Sequence, residues 1–180
     1  MISLSTERLT LRRWRSSDLD PFAAMNADPA VMEFYPRILS DKESFALVEK
    51  IEASFTSEGF GLWALELKDG HEFIGYVGLS RPSFQAHFTP CVEIGWRIAR
   101  DHWDNGLATE GARAAVRDGF ERLQLKEIIS FTAAINKRSI RVMEKLQMTR
   151  SEKDDFLHPL IETGHPLKPH VLFRLLRSDQ

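Results

Sequence analysis

Cysteine is nearly missing from this 180-residue chain: Cys91 stands alone. It has no partner for an intramolecular disulfide, so the expected setting is a reducing one, the cytoplasm. An excess of charge of one sign is missing too. Lys and Arg number 24 against 26 Asp and Glu, a formal net charge of −2. That balance carries no electrostatic footprint for non-specific nucleic-acid binding, and no nucleic-acid partner is expected. No stretch approaches the ~18 uncharged apolar residues of a membrane span. The opening Met1-Ile2-Ser3-Leu4-Ser5-Thr6-Glu7-Arg8 lacks the apolar run of a signal peptide. Internal repeats, low-complexity tracts and long linkers are also lacking. Secreted, membrane and disulfide-scaffold classes are thereby excluded from the reading. What is present, 43% hydrophobic and 28% charged residues, is the composition of a globular chain. The length predicts one domain over 1–180.

Periodicity supplies the elements. Leu9 to Trp14 alternates apolar and polar residues and predicts a strand. Ser17 or Asp18 offers an N-cap for a helix that stops near Asp28-Pro29, and a short helical piece is expected over Ala30 to Phe34. Ser40-Asp41-Lys42-Glu43 matches a capping box, followed by an apolar stripe at Phe45, Leu47, Val48, Ile51 and Phe55. Strands are predicted over Leu62 to Leu67, Phe73 to Leu79, Cys91 to Ile98, Ile128 to Thr132 and Val171 to Leu176. Between them, Leu107 to Leu123 reads as a helix with a small-residue face that packs close to a sheet. Asn136 is an N-cap for a helix ending near Leu146. The expected class is α+β.

Two segments carry chemistry. In Glu93-Ile94-Gly95-Trp96-Arg97-Ile98-Ala99-Arg100-Asp101-His102-Trp103-Asp104-Asn105-Gly106-Leu107-Ala108-Thr109-Glu110, a central strand runs through a polar loop into a helix starting at Gly106. A helix start carries unpaired N–H groups and about +0.5 of a charge, and so accommodates phosphate. The spacing is neither a Walker A loop nor a dinucleotide fingerprint. The second segment is Asn136-Lys137-Arg138-Ser139-Ile140-Arg141-Val142-Met143-Glu144-Lys145-Leu146. Together the two resemble the coenzyme-binding motifs of the GNAT superfamily of acyl-CoA-dependent N-acyltransferases. The branch they resemble contains the ribosomal-protein-alanine N-acetyltransferases, and the opening Thr6-Glu7-Arg8-Leu9-Thr10-Leu11-Arg12 fits it as well.

The resemblance implies a GNAT fold: a twisted mixed α/β sheet of about seven strands, with helices on both faces and a splayed central strand pair. It implies acetyl-CoA as co-substrate and no metal. Trp96, Arg97 and Ile98 would offer strand backbone to the pantetheine arm. Asp104, Asn105, Gly106, Leu107, Ala108 and Thr109 would wrap the pyrophosphate, and Asn136 would meet the coenzyme arm. Ser139 would donate a proton to the departing thiolate; the alternative is a first-turn serine bonding backbone. Glu93 is the candidate base, against a structural carboxylate paired inside the domain. Two departures stand out: Asp104 and Gln147 replace glycines usual in the branch.

The implied function is acetyl transfer to a primary amine by direct attack in a ternary complex. The favoured acceptor is the α-amine of a protein or peptide N-terminus. A small-molecule acceptor and a non-catalytic coenzyme-binding module are the alternatives, and the chain is expected to be a monomer or homodimer. Phe34 and Tyr35, with Trp63 and Phe84, are candidate acceptor-lining aromatics, the alternative being core. Cys91 reads as packing rather than nucleophile. His158, His165 and His170 lack a metal-site spacing and read as solvated loop histidines.

Overall fold

The computed structural model describes residues 3–177; Met1, Ile2 and the last three residues of the expected 1–180 unit lie outside the described residues. In chain order the elements are β1 (Leu4–Ser5), β2 (Leu9–Arg12), α1 (Leu19–Ala27), α2 (Asp41–Ser57), β3 (Leu62–Leu67), β4 (Phe73–Ser80) and β5 (Glu93–Ile98). They continue with α3 (Leu107–Glu121), β6 (Glu127–Ala133), α4 (Lys137–Lys145), β7 (Thr149–Arg150), β8 (Phe156–Leu157) and β9 (Pro169–Leu176). The strands form one mixed sheet in the order β1-β2-β3-β4-β5-β6-β9-β7, with β8 on a separate stretch of β9. Among the described residues, only β5 and β6 run parallel, and nine strands stand where about seven were expected. Beyond the six that periodicity predicts stand β1, β7 and β8, with two residues each, too few to leave an alternation in the sequence.

The helices start where their caps dictate. Ser40 Oγ accepts from the Glu43 amide at 3.4 Å, while the Glu43 carboxylate accepts from the Ser40 amide at 2.9 Å, closing the capping box of α2. Asp18 sits at the N-cap of α1, yet its carboxylate is engaged elsewhere. It takes both terminal nitrogens of Arg12 at 2.7 and 2.8 Å. Arg12 also donates through Nε to Glu66 at 2.6 Å, so a buried ion network ties β2, β3 and α1 together. The helical piece expected over Ala30 to Phe34 is instead a run of turns, with Met32 N–H bonded to Asp28 C=O at 3.0 Å. Pro29 and Pro36 bracket it and leave too few residues for a helix nucleus.

Helices cover both faces of the sheet. Phe22 of α1 packs edge-on to Tyr76 of β4, with centroids 6.0 Å apart. On the opposite face α3 lies close to the strands because Gly111 has no side chain: a Cβ there would meet Val77 Cγ1 at 3.0 Å and Leu65 Cδ2 at 3.3 Å. This close seating brings the start of α3 against the exit of β5. Among the described residues, no helix is long and apolar enough to cross a membrane.

Candidate active site

The site begins where β5 and β6 part. Their ladder has one register pair, Glu93 opposite Ile129, with Ile129 N–H donating to Val92 C=O at 3.0 Å. One step further, the Ser130 hydroxyl donates to Ile94 C=O at 3.0 Å, replacing a backbone donor. On the other side of β5, Ala99 N–H donates to Ile74 C=O at 2.9 Å across the Ile98–Gly75 pair. That makes Ile98–Gly75 a non-hydrogen-bonded pair, so the polar backbone groups of Ile98 point away from β4. By alternation those of Trp96 do likewise, and both face the gap left by β6. Trp103 Nε1 donates to Ile98 C=O at 2.7 Å and fixes the loop at the strand's exit.

The loop then turns sharply into α3. Gly106 occupies the N-cap position at φ 77° and offers no side chain as cap. A Cβ at Gly106 would find open room, the nearest atom being Arg8 Nη2 at 3.7 Å, so its conformation rather than its size calls for glycine. Asp104, where the branch has glycine, takes the same left-handed conformation at φ 60°, and Gln147 does so at φ 61°. Both departures keep the turns that glycine would have made.

A cleft of about 240 Å³ occupies the gap. Trp96, Arg97, Ile98, Asp104, Gly106, Leu107, Ala108, Thr109, Asn136 and Ser139 line it, and so do Phe34 and Tyr35 of the turn segment. Four expected residues stand outside it. Asn105 is turned to the loop, its amide donating to Trp103 C=O at 3.0 Å and its carbonyl accepting from Arg8 at 3.0 Å. Glu93 lies at the closed end of the strand pair, accepting from Ser80 Oγ at 2.9 Å. Burial pushes its carboxyl up to about 7, against a smaller downward pull from Ser80. Trp63 packs on Phe55 and Phe84 joins a separate aromatic cluster, so neither reaches the cleft.

Ser139 is fixed by three contacts. Its Oγ accepts from Trp96 Nε1 at 3.3 Å and from Asn136 Nδ2 at 3.1 Å, and its amide donates to Asn136 Oδ1 at 3.2 Å. Asn136 is thus the N-cap of α4, and the same side chain also donates to Thr132 on β6.

Residues 8–149 match the family described as Acetyltransferase (GNAT) domain. The chain belongs to the GNAT acetyltransferases. The Bacillus subtilis protein YkkB is 33% identical to it over 150 residues, covering 83% of this chain and 86% of that one. An Aspergillus fumigatus protein named FsC-acetyl coenzyme A-N(2)-transacetylase is 32% identical over 173 residues, covering 90% of this chain and 73% of that one. Among solved structures, an acetyltransferase from Agrobacterium tumefaciens superposes with a TM-score of 0.78 at 26% identity, covering 98% and 95% of the two chains. The ribosomal-protein-S5-alanine acetyltransferase of Vibrio fischeri shares the fold, with a TM-score of 0.78 at 15% identity over 99% and 98% of the two chains.

In this GNAT enzyme, sequence reasoning passed over the basic face of α4. Arg138, Arg141 and Lys145 line the cleft beside Val142, and Arg138 stacks over Trp103 at 4.2 Å. Their spacing of three and four residues is the signal that was there to find. Arg8, Arg113 and Arg117 line an adjoining groove that shares Gly106, Thr109 and Lys145 with the cleft. The histidines correct another expectation. His170 is buried on β9 and His158 packs at a tilt against it and against Phe84, with centroids 4.8 and 4.6 Å away. Burial pushes His170 down to about 4. These two are packed in an aromatic cluster rather than solvated, because β8 folds back onto β9. Cys91 is half-buried away from the cleft, and burial with nearby Glu93 and Glu127 pushes its thiol up to about 11.

Proposed function

We propose that this enzyme moves acetyl from acetyl-CoA to the α-amine of a peptide or other small amine by direct attack. Bound acetyl-CoA supplies an activated acyl thioester; the protein supplies position and protons. Trp96 offers unpaired strand backbone to the pantetheine arm. The uncapped start of α3 and the cations of α4 and the adjoining groove suit the negative phosphates of the coenzyme. Ile98 N–H, facing the gap, is the donor for negative charge developing on the thioester oxygen. The neutral amine forms its C–N bond as the C–S bond breaks. Glu93, reached through water, takes the amine's proton, and Ser139 gives one to the leaving sulfur; solvent then returns a proton to Ser139 and accepts the one on Glu93.

The observation that carries this reading is the hydrogen bonding of Ser139. Trp96 and Asn136 fill both acceptor positions of its oxygen, which leaves its own proton free to be donated. The acceptor class follows from acid–base matching. Among the described residues, Asp104 is the one carboxylate lining the cleft, and it sits at the loop. An α-amine, which ordinarily titrates at about 7.7–8.0, is about one-tenth neutral at pH 7 and needs little help. A lysine ε-amine is neutral at only about a few parts in ten thousand. The Aspergillus relative's name, a transfer to N(2), agrees with an amine acceptor. Absence of a disulfide partner for Cys91 fits a cytoplasmic setting for a single-domain enzyme. The test is thiol release with paired peptides. A free small N-terminal residue is expected to outcompete an internal lysine on a blocked peptide; faster transfer to the lysine would reject the α-amine reading.

A further inference from the structure

Two arginines of this chain are equally buried and differently treated. Arg12 and Arg97 are each 7% exposed. Arg12 is neutralised by Asp18 and Glu66. Arg97 has no carboxylate: among the described residues no ion pair includes it. Its Nη1 donates to Asn26 Oδ1 at 2.5 Å, and its Nε has no hydrogen-bond partner. The guanidinium carbon stands 4.1 Å from the centroid of Tyr35 and 5.4 Å from that of Tyr76. Asn26 is itself fully buried and donates to Ser44 Oγ at 3.0 Å, so the holder is rigid. Burial holds the Tyr76 phenol above its ordinary value, which keeps it neutral and no counter-ion. A buried cation with an unmade bond is costly to keep. It persists here on the wall of the cleft.

Its side of the wall matters. Trp96 points toward α4 and Ser139, so Arg97, the next residue on β5, points to the opposite face, toward α1 and the Tyr35 turn. The start of α3 belongs to the other face of the sheet, where Gly111 meets Val77, whereas Arg97 stands opposite Tyr76; of the α4 cations, Arg138 reaches toward the Tyr35 turn and is paired with Glu33 at 2.6 Å. A phosphate held by the start of α3 and the Arg97 side chain therefore belong to opposite faces of the sheet.

We propose that Arg97 determines acceptor specificity by binding a carboxylate that the acceptor carries within a residue of its reacting amine. With Nη1 held by Asn26 and Nε enclosed, Nη2 is the donor left to receive it. A carboxylate oxygen there gains a charge-assisted hydrogen bond from a cation that no other carboxylate neutralises. The proposal rests on the acetyl-transfer reading and narrows it from amines at large to aminocarboxylates. The carboxylate belongs either to a free amino acid or to an acidic first residue of a peptide; the chemistry is the same.

Matched acid and amide acceptors test it. Alanine is compared with alaninamide, and the peptide amide Asp-Ala-NH2 with Asn-Ala-NH2, by kcat/KM at saturating acetyl-CoA. The wild-type enzyme is expected to favour the acid at least tenfold in one pair, and that pair names the carboxylate's source. Arg97→Gln should bring the ratio toward one, and Arg97→Lys should retain part of it. A merely structural Arg97 would lower both members of a pair alike and leave the ratio standing, which overturns the proposal. Equal rates within both pairs in the wild type overturn it without any variant. Melting of the wild-type protein with coenzyme A and the same four compounds separates the two readings. A larger rise in Tm with the acid, in the absence of any thiol release, keeps the carboxylate site and rejects transfer. Equal shifts alongside brisk thiol release keep transfer and reject the site.

Discussion

The hydroxyl of Ser139 has one proton to give, and its neighbours decide where it goes. Trp96 Nε1 and Asn136 Nδ2 both donate to its oxygen, and its amide is spent on Asn136 Oδ1. Removing the hydroxyl therefore removes a donor without removing the helix cap. Ser139→Ala is expected to lower kcat by about 10²-fold, the low end of general acid–base contributions. The dissociation constant of acetyl-CoA should stay nearly constant, because the proton transfer follows binding. Calorimetry with steady-state kinetics checks both halves; full kcat in a folded variant would remove the donor role. Cys91 offers no covalent alternative at this scale. Its thiol, pushed up to about 11, is protonated near neutral pH and lies away from the cleft.

Between β5 and α3, the turn at Gly106 converts a strand end into a phosphate-suited helix start. A glutamate at Gly106 would strain a φ of 77° and place a like charge against the coenzyme. Losing two charge-assisted bonds of ~1.5–3 kcal/mol each would weaken acetyl-CoA binding by about 10²-fold or more. Unchanged affinity by calorimetry in folded Gly106→Glu would refute the loop's assignment. A second element-level prediction concerns the buried Arg12 network. Asp18→Ala leaves a buried guanidinium half-paired and is expected to cost about 3 kcal/mol in urea unfolding. Replacing Arg12, Asp18 and Glu66 together by Met, Ala and Leu should recover most of that. The elements around the site were legible in the sequence because each carries a local signal. Ser40 and Glu43 announce α2, and the glycines and alanines of α3 announce close packing. What was not legible depends on partners distant in sequence. Asp18 reads as a cap until Arg12 folds over it, 6 residues away. Arg97 reads as one more strand residue until Asn26, 71 residues away, holds it. His158 reads as a loop residue because a two-residue strand, β8, leaves no pattern of its own, and His170 because β9 starts at Pro169, ahead of the Val171 expected.

At the scale of the whole molecule, two buried titratable groups set opposing slopes of stability against pH. Burial raises the Glu93 carboxyl from 4.5 to about 7. The folded state then holds a proton that the unfolded state has released, so stability falls as pH rises from about 4.5 through about 7. His170 is lowered from 6.5 to about 4 by burial, followed by the charge of His158, against upward pulls from backbone bonds. The unfolded state then binds the proton first, so stability falls as pH drops from about 6.5 toward 4. The two windows overlap, and each group offsets the other's slope inside the overlap. Substitution separates them. Glu93→Gln should raise the melting temperature above pH 7, with a gain that shrinks toward pH 4.5. His170→Phe keeps an apolar ring in the aromatic cluster and should flatten the acid-side fall. In the Glu93→Gln enzyme, the limb of kcat/KM that rises through about pH 7 should disappear as well, since the group that must lose its proton is gone. Melting curves from pH 4 to 9 and a pH–rate profile on the same variant distinguish the roles. A lost stability slope with an intact kinetic limb leaves Glu93 a buried structural carboxylate, and loss of both makes it the base.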